Sequence, residues 1–232
     1  MEPLRRVDDG LFFAINSLSR HTPWLHSVAV TYAKVGVVLF GALLLAGLVY
    51  ARTRSSRTLG AAGWAAIATL LALAVNQPIT QLFQEARPYT THPHILLLVS
   101  RTTDYSFPSD HAVMAGAVAT GLILVSRPLG ILGAAAAALM ALTRVYVAAH
   151  YPWDVLVGLI LGAAVAWLGW ILLARPLTAF AAWLRQRPGI RSYFAPLDDS
   201  SPTVSAFGSS GEFGPASASS SCRPSDATAA PN

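Results

Sequence analysis

Residues 143–154 read TRVYVAAHYPWD, and residues 155–174 read VLVGLILGAAVAWLGWILLA. The second stretch is 20 residues without a charge. At 1.5 Å per residue that is about the length a helix needs to cross the hydrocarbon core of a bilayer. Pro152 suits the first position of a helix, so the spacing predicts a helix beginning there with Asp154 in its first turn. Working outward, the other long charge gaps have the same character. From Trp24 to Tyr50 the only charge is Lys34, and from Leu59 to Gln84 there is none. Ala112 to Ser126 and Pro128 to Thr143 are also uncharged, but fall short of a span unless they take in polar neighbours. Asp110 and His111 would then open the first of these, and Arg144 would close the second.

The whole chain agrees. Of its 232 residues 54% are hydrophobic and 12% charged, against about 25% charged in a soluble domain. An aqueous surface needs more charge than that, so an ordinary soluble globule is excluded, as is disorder over most of the chain. The expected fold is all-α: a polytopic membrane helix bundle of five spans. Asp9 to Ser19 places Leu11, Ile15 and Leu18 at helical spacing, too short to span. It reads as an interfacial helix, which brings the count to six helices. Gly158 and Gly162 form a small-xxx-small pair, and Ala134 to Ala138 a smooth stripe, both suited to close helix packing in lipid. Ile95 to Val99 reads as a loop dipping toward lipid. Residues 1–195 form the membrane-embedded domain. Residues 196–232, rich in Ser, Ala, Pro and Gly, read as a disordered cytoplasmic tail. There is no internal repeat and no cleaved signal peptide is read at the N-terminus.

Net charge is +5, almost all of the basic residues are arginine, and Lys34 is the single lysine. No basic patch is interleaved with aromatics, so nucleic acid is not a partner; arginines flanking spans account for the charge. The one cysteine, Cys222, permits neither an intrachain disulfide nor a cysteine metal site. Five spans place Arg52, Arg54, Arg57, Arg127, Arg175, Arg185, Arg187 and Arg191 on one side, which the positive-inside rule makes cytoplasmic. Arg5, Arg6, Arg20, Arg87, Arg101 and Arg144 fall on the other, offset by Glu2, Asp8, Asp9, Glu85, Asp104 and Asp154. The segments around Arg87, His111 and His150 then face outward, at the extracytoplasmic membrane boundary.

The informative polar residues form three clusters at helix ends on that face. In Phe107-Pro108-Ser109-Asp110-His111, Ser109 is a good N-cap. The free N–H groups of the helix start behind it suit phosphate. His111, beside such an anion, favours its protonated form and suits a general acid. In the third cluster the Asp154 carboxylate reaches back to one ring nitrogen of His150, fixing its tautomer and freeing the other nitrogen to attack. Arg144 and Arg87 can grip phosphate oxygens bidentately. Two histidines and an aspartate could hold zinc, but two arginines nearby disfavour a cation, so no metal is expected. The rival from another class is a transporter or scaffold that binds lipid headgroups. It needs the arginines, but neither a nucleophile nor an acid.

These residues resemble the type 2 phosphatidic acid phosphatase superfamily, which also includes the haloperoxidases. The first motif ends in Arg-Pro, here Arg87-Pro88. The second is Pro-Ser-x-His, here Pro108 to His111. The third is Ser-Arg, five residues, His, three residues, Asp, here Thr143-Arg144, His150 and Asp154. Two positions depart from the pattern. Thr143 replaces the serine but keeps a hydroxyl, and Thr80 stands where the first motif usually opens with lysine. Lys34 is the candidate to replace that charge from another helix. The resemblance implies that His150 is the nucleophile forming a phosphohistidine, Asp154 its orienting partner, and His111 first the acid and then the base. Arg87, Arg144 and the backbone near Ser109 cradle the phosphate, with Asp110 and Lys34 as further substrate contacts and no cofactor. Asp110, the compact chain and Leu11 to Asn16 resemble the bacitracin-resistance type of undecaprenyl pyrophosphate phosphatase. That implies a polyprenyl pyrophosphate substrate among the membrane lipids of the bacterial inner membrane. A phosphatidate or phosphatidylglycerophosphate phosphatase is the alternative, because the motifs bind phosphate and leave the lipid tail open. Oligomeric state is not legible in the sequence.

Overall fold

A computed structural model describes residues 2–189, and every regular element among them is helical. The elements are α1 (Glu2–His21), α2 (His26–Ala51) entered through one 3-10 turn at Pro23–Leu25, α3 (Ser56–Phe83), and the single turn α4 (Pro88–Thr91). They continue with α5 (Asp110–Val125), α6 (Arg127–Tyr146) and α7 (Pro152–Gln186). Pro23–Ala51, Ser56–Thr91, Arg127–Tyr146 and Pro152–Gln186 are long and apolar enough to cross a membrane. α5, at 16 residues, is the shorter fifth apolar helix. Large side chains such as Leu70, Ile131 and Leu172 stand exposed on the outside of the bundle, which suits a lipid surround.

Local chemistry sets the boundaries. Ser55 caps α3 by accepting from the Thr58 N–H at 3.2 Å, and Ser126 caps α6 through Leu129 at 3.4 Å. α7 starts at Pro152, as its sequence predicts, but runs through Arg175-Pro176 to Gln186. α1 is longer than the predicted Asp9–Ser19. It begins at Glu2, where Arg5, Arg6, Asp8 and Asp9, interspersed with Leu4 and Val7, continue its amphipathic helix, with Phe12, Asn16 and Ser19 buried.

α5 is the central helix, packed against α2, α3, α6 and α7. It reaches α7 at backbone distance. A Cβ at Gly162 would overlap the Val113 carbonyl, one at Gly116 the Leu159 carbonyl, and one at Gly158 would lie 2.9 Å from the Ser109 carbonyl oxygen. The small-xxx-small pair thus does what its sequence predicts. The Ala134–Ala138 stripe does not. Successive helical residues turn by about 100°, so a contiguous run winds around the helix rather than along it. Only Ala136 and Ala137 of that run are buried, on a face shared with Gly130, Gly133 and Met140. Ile95 to Val99 is a loop, as predicted, and packs partly buried on the bundle. Ile95 and Leu97 pack against the cluster that includes Phe12 and Val155, Leu98 and Val99 against the one that includes Ala29 and Val147, and the Leu98 N–H bonds the Val147 carbonyl at 3.3 Å. The loop is apolar because it covers the bundle's end.

The two ends of the bundle differ. At one, Arg185 of α7 donates to the carbonyls of Ala51 and Arg52 at 3.3 and 3.2 Å. At the other, the starts of α5 and α7 are joined by Ser109 N–H to Asp154 C=O, at 3.2 Å. The buried polar residues Arg87, Ser106, Ser109, His150 and Asp154 gather at this second end. The tail, residues 196–232, lies outside the described residues.

Candidate active site

Three chain segments converge where α5 and α7 begin. Arg87 is the N-cap residue of α4, followed by Pro88 at the first helical position. Residues 102–109 lead into α5. The turn 147–151 links α6 to α7, and Ala148 in it adopts φ 62°. That left-handed backbone costs a residue with a Cβ about 1 kcal/mol or more. Within the turn the Ala149 N–H bonds the Arg144 carbonyl at 3.1 Å, which brings His150 back toward Arg87.

The ring of His150 is 2% exposed and its tautomer follows from its partners. Nδ1 lies 2.9 Å from the Ser106 carbonyl oxygen, which can only accept, so Nδ1 carries the proton. Nε2 therefore keeps its lone pair and accepts from Arg87 Nη1 at 3.2 Å. Burial, then the charges of Arg144 and Arg87, push the His150 pKa well below the usual histidine value, so the ring is neutral at physiological pH.

Asp154 is fully buried. Its Oδ2 accepts a short hydrogen bond from the Ser106 hydroxyl and another from the Tyr151 N–H at 2.9 Å, and stands 3.5 Å from His150 Nδ1. The expected Asp154–His150 pair is thus a three-residue arrangement. Ser106 gives its carbonyl to the imidazole and its hydroxyl to the carboxylate. Ser106 lies outside the motif windows, and no spacing rule marks it.

Arg87 is 8% exposed and held on every side. Nη1 also donates to the Ala149 carbonyl at 2.9 Å, Nη2 to Asp104 Oδ2 at 2.7 Å, and Nε to the Asp104 carbonyl at 3.2 Å. For Asp104, burial alone would raise the carboxyl pKa. Hydrogen bonds from Thr102 and Arg87, with the Arg87 charge, outweigh it and hold the group below the usual carboxylate range. Asp104 is a second residue that the sequence alone does not single out.

One cavity of about 580 Å³ takes in six of the predicted residues: Lys34, Arg87, Asp110, His111, Arg144 and His150. Thr80 lines it as well, its buried hydroxyl without a partner. Arg144 Nε is likewise buried without a partner. Asp110 is tied to α3, its Oδ1 accepting from Asn76 Nδ2 at 2.7 Å and Gln77 Nε2 at 3.3 Å. Ser109 and Asp154 are fully buried and do not line the cavity. Ser109 holds the N-cap position of α5 by its backbone, but its side chain makes no capping bond and its Oγ has no partner. Its backbone is committed instead, N–H to Asp154 and carbonyl to the Val113 N–H at 2.9 Å. Among the described residues no three His, Cys, Asp or Glu side chains gather as metal ligands. The cavity thus presents a neutral imidazole lone pair beside the Arg87 guanidinium, with Arg144 and the second imidazole, His111, also in its lining. That set can bind a phosphoryl group and attack it.

An all-helical membrane bundle with this site is the architecture of a membrane phosphatase. Residues 61–176 match the PAP2 superfamily, and the chain belongs to that superfamily and is a hydrolase of the phosphatase class. It is 32% identical to undecaprenyl-diphosphatase BcrC of Bacillus subtilis over 68% of this chain and 80% of that protein. The crystal structure of Aquifex aeolicus LpxE is 25% identical, with a TM-score of 0.54 over 68% of this chain and 92% of that one. A PAP2-type phosphatidylglycerolphosphate phosphatase from Bacillus subtilis is 19% identical, and shares the fold with a TM-score of 0.54 over 80% of this chain and 90% of that one.

Removing the Ser106 hydroxyl leaves Asp154 Oδ2 with one N–H donor and the imidazole less firmly held. Ser106→Ala is expected to lower kcat by about 10²-fold, the scale on which small misplacements act, with KM little changed. Ser106→Thr, which restores a hydroxyl, should recover most of the loss. An equal deficit in both variants would mean that only side-chain volume matters there.

Proposed function

We propose that this protein hydrolyses undecaprenyl diphosphate to undecaprenyl phosphate and inorganic phosphate, regenerating the carrier lipid of cell-wall synthesis at the outer face of the bacterial inner membrane. The observation that carries the reading is the His150 imidazole, neutral by environment, with Nε2 unprotonated beside Arg87. The likeness to BcrC supports the lipid diphosphate.

Nε2 attacks the terminal phosphorus, and a P–N bond forms as the bridging P–O bond breaks. The electron pair leaves on the lipid phosphate oxygen, which takes a proton from His111. Arg87 and Arg144 neutralise the charge spread over the transferring oxygens. Asp154, through Ser106, stabilises the cationic phosphohistidine. Water then gives a proton to His111 and attacks the phosphorus. The P–N bond breaks, phosphate departs, and His150 returns to its neutral tautomer. The arginines supply the positive charge that a metal supplies in other phosphatases, so no metal enters the cycle.

Read as five spans, with α5 as the short one, the topology supports an outward site. The arginines between α2 and α3, at the start of α6 and along the end of α7 then lie on the cytoplasmic side with the C-terminal tail. A phosphatidylglycerophosphate phosphatase is the second reading, favoured by the shared fold.

The test is phosphate release by purified protein in excess chelator, from undecaprenyl diphosphate, phosphatidate and phosphatidylglycerophosphate in parallel. The expected outcome is metal-independent release with undecaprenyl diphosphate preferred by roughly tenfold or more in kcat/KM, an energy that one charge-assisted contact supplies. A preference for phosphatidylglycerophosphate would move the protein to the second reading. Binding of all three without hydrolysis would make it a lipid-headgroup carrier.

A further inference from the structure

Lys34 is the chain's single lysine and lies eight residues into α2, about 12 Å along the helix from its first residue. Among the described residues no acid, hydroxyl or carbonyl bonds its ammonium group. A cation inside a membrane helix is costly and persists where it faces a polar cavity or a ligand. Lys34, itself exposed, lines one: the cavity that holds His150, which Gln77 and Gln81 of α3 also line. Its lining thus carries a third cation besides Arg87 and Arg144, set against the carboxylates of Asp104 and Asp110, of which Asp104 is paired with Arg87. Arg87 borders the Nε2 lone pair directly and Arg144, near the end of α6, lines the same cavity, while Lys34 stands in α2, eight residues from that helix's start.

Resting on the diphosphate reading above, we propose that Lys34, Gln77 and Gln81 form a second phosphate subsite, which holds the phosphate that stays on the lipid. The transferred phosphoryl group must lie against Nε2. The lipid tail lies in the bilayer, so the phosphate bonded to it is the membrane-side one, at the level of a side chain partway along α2. Asp110 also lines the cavity and would repel that phosphate. Its Oδ1 is engaged by the amides of Asn76 and Gln77, and the Lys34 ammonium supplies the opposing charge. The subsite gives the enzyme a means of telling a diphosphate lipid from a monophosphate one, since a monophosphate leaves Lys34 without an anion.

The experiment uses the full-length protein in detergent, with farnesyl diphosphate and farnesyl monophosphate as paired probes. Lys34→Met and Lys34→Arg are compared with the unaltered chain. For Lys34→Met the ratio of kcat/KM for diphosphate over monophosphate should fall by roughly tenfold or more, chiefly through KM, the scale of a lost charge-assisted contact. Lys34→Arg should restore most of the ratio. An unchanged ratio, whether both activities persist or fall together, overturns the subsite and leaves the diphosphate reading standing. If the unaltered chain hydrolyses the monophosphate but not the diphosphate, that reading and the subsite both fail.

Discussion

His150→Ala is expected to release phosphate from lipid diphosphate roughly 10⁴-fold more slowly than the unaltered protein, or slower still, with substrate binding largely retained. The expectation follows from where the ring sits. Its Nδ1 proton is fixed on the Ser106 carbonyl and its lone pair faces Arg87, so the substitution removes this neutral nucleophile. The guanidinium groups remain. Arg87 keeps its bonds to Ala149 and Asp104, so phosphate affinity should survive even though turnover does not. A radiometric release assay alongside equilibrium binding of the diphosphate separates the two. Full turnover in His150→Ala would remove the nucleophile from the mechanism, while loss of both binding and folding would make the ring structural.

His111→Ala should produce the second large effect, and its size should depend on the leaving group. General acid–base groups contribute about 10²–10⁴-fold. With a lipid diphosphate the leaving group is itself a phosphate, whose second pKa is about 6, and it departs without much help from an acid. With phosphatidate the leaving group is an alkoxide, far more basic, and the acid is needed. Hydrolysis of the phosphoenzyme needs His111 as base for either substrate. Diphosphate should therefore still phosphorylate His111→Ala while release stalls, so the phosphoenzyme accumulates. Phosphatidate should fail at the first step and leave little phosphoenzyme. Quenched-flow measurement of covalent label with both substrates reads this directly. Equal phosphoenzyme levels from the two would remove His111 from the leaving-group step.

The bundle was largely legible because charges are few. Charge gaps located α2, α3, α6 and α7, and Pro152 marked the start of α7 with Asp154 in its first turn. The gathering of Arg87, His111, Arg144 and His150 was legible from their positions at helix ends, since antiparallel helices bring such ends together. What failed has common causes. Ser106 serves the site through its carbonyl as well as its hydroxyl, and a carbonyl carries no residue-type signal. Ser109 has the right residue type for a cap, yet the approach of α7 at Gly158 and the bond to Asp154 commit its backbone and bury its hydroxyl. Apolarity at Ile95 to Val99 did not say what the loop packs on, and its partly buried side chains rest on two apolar clusters built from α1, α2, α5, α6, the turn after it and α7. The Ala134–Ala138 run misled because composition was read without the helical period.

In this mechanism catalysis passes through a phosphate bonded to His150 Nε2. The direct measurement is to mix His111→Ala with lipid diphosphate labelled on its terminal phosphate, quench in alkali, and map the label by mass spectrometry. The expected result is an acid-labile, alkali-stable phosphoryl group on the peptide containing His150, at Nε2, and none when His150→Ala is combined with His111→Ala. Label on another residue, or label that persists in the double variant, would contradict it.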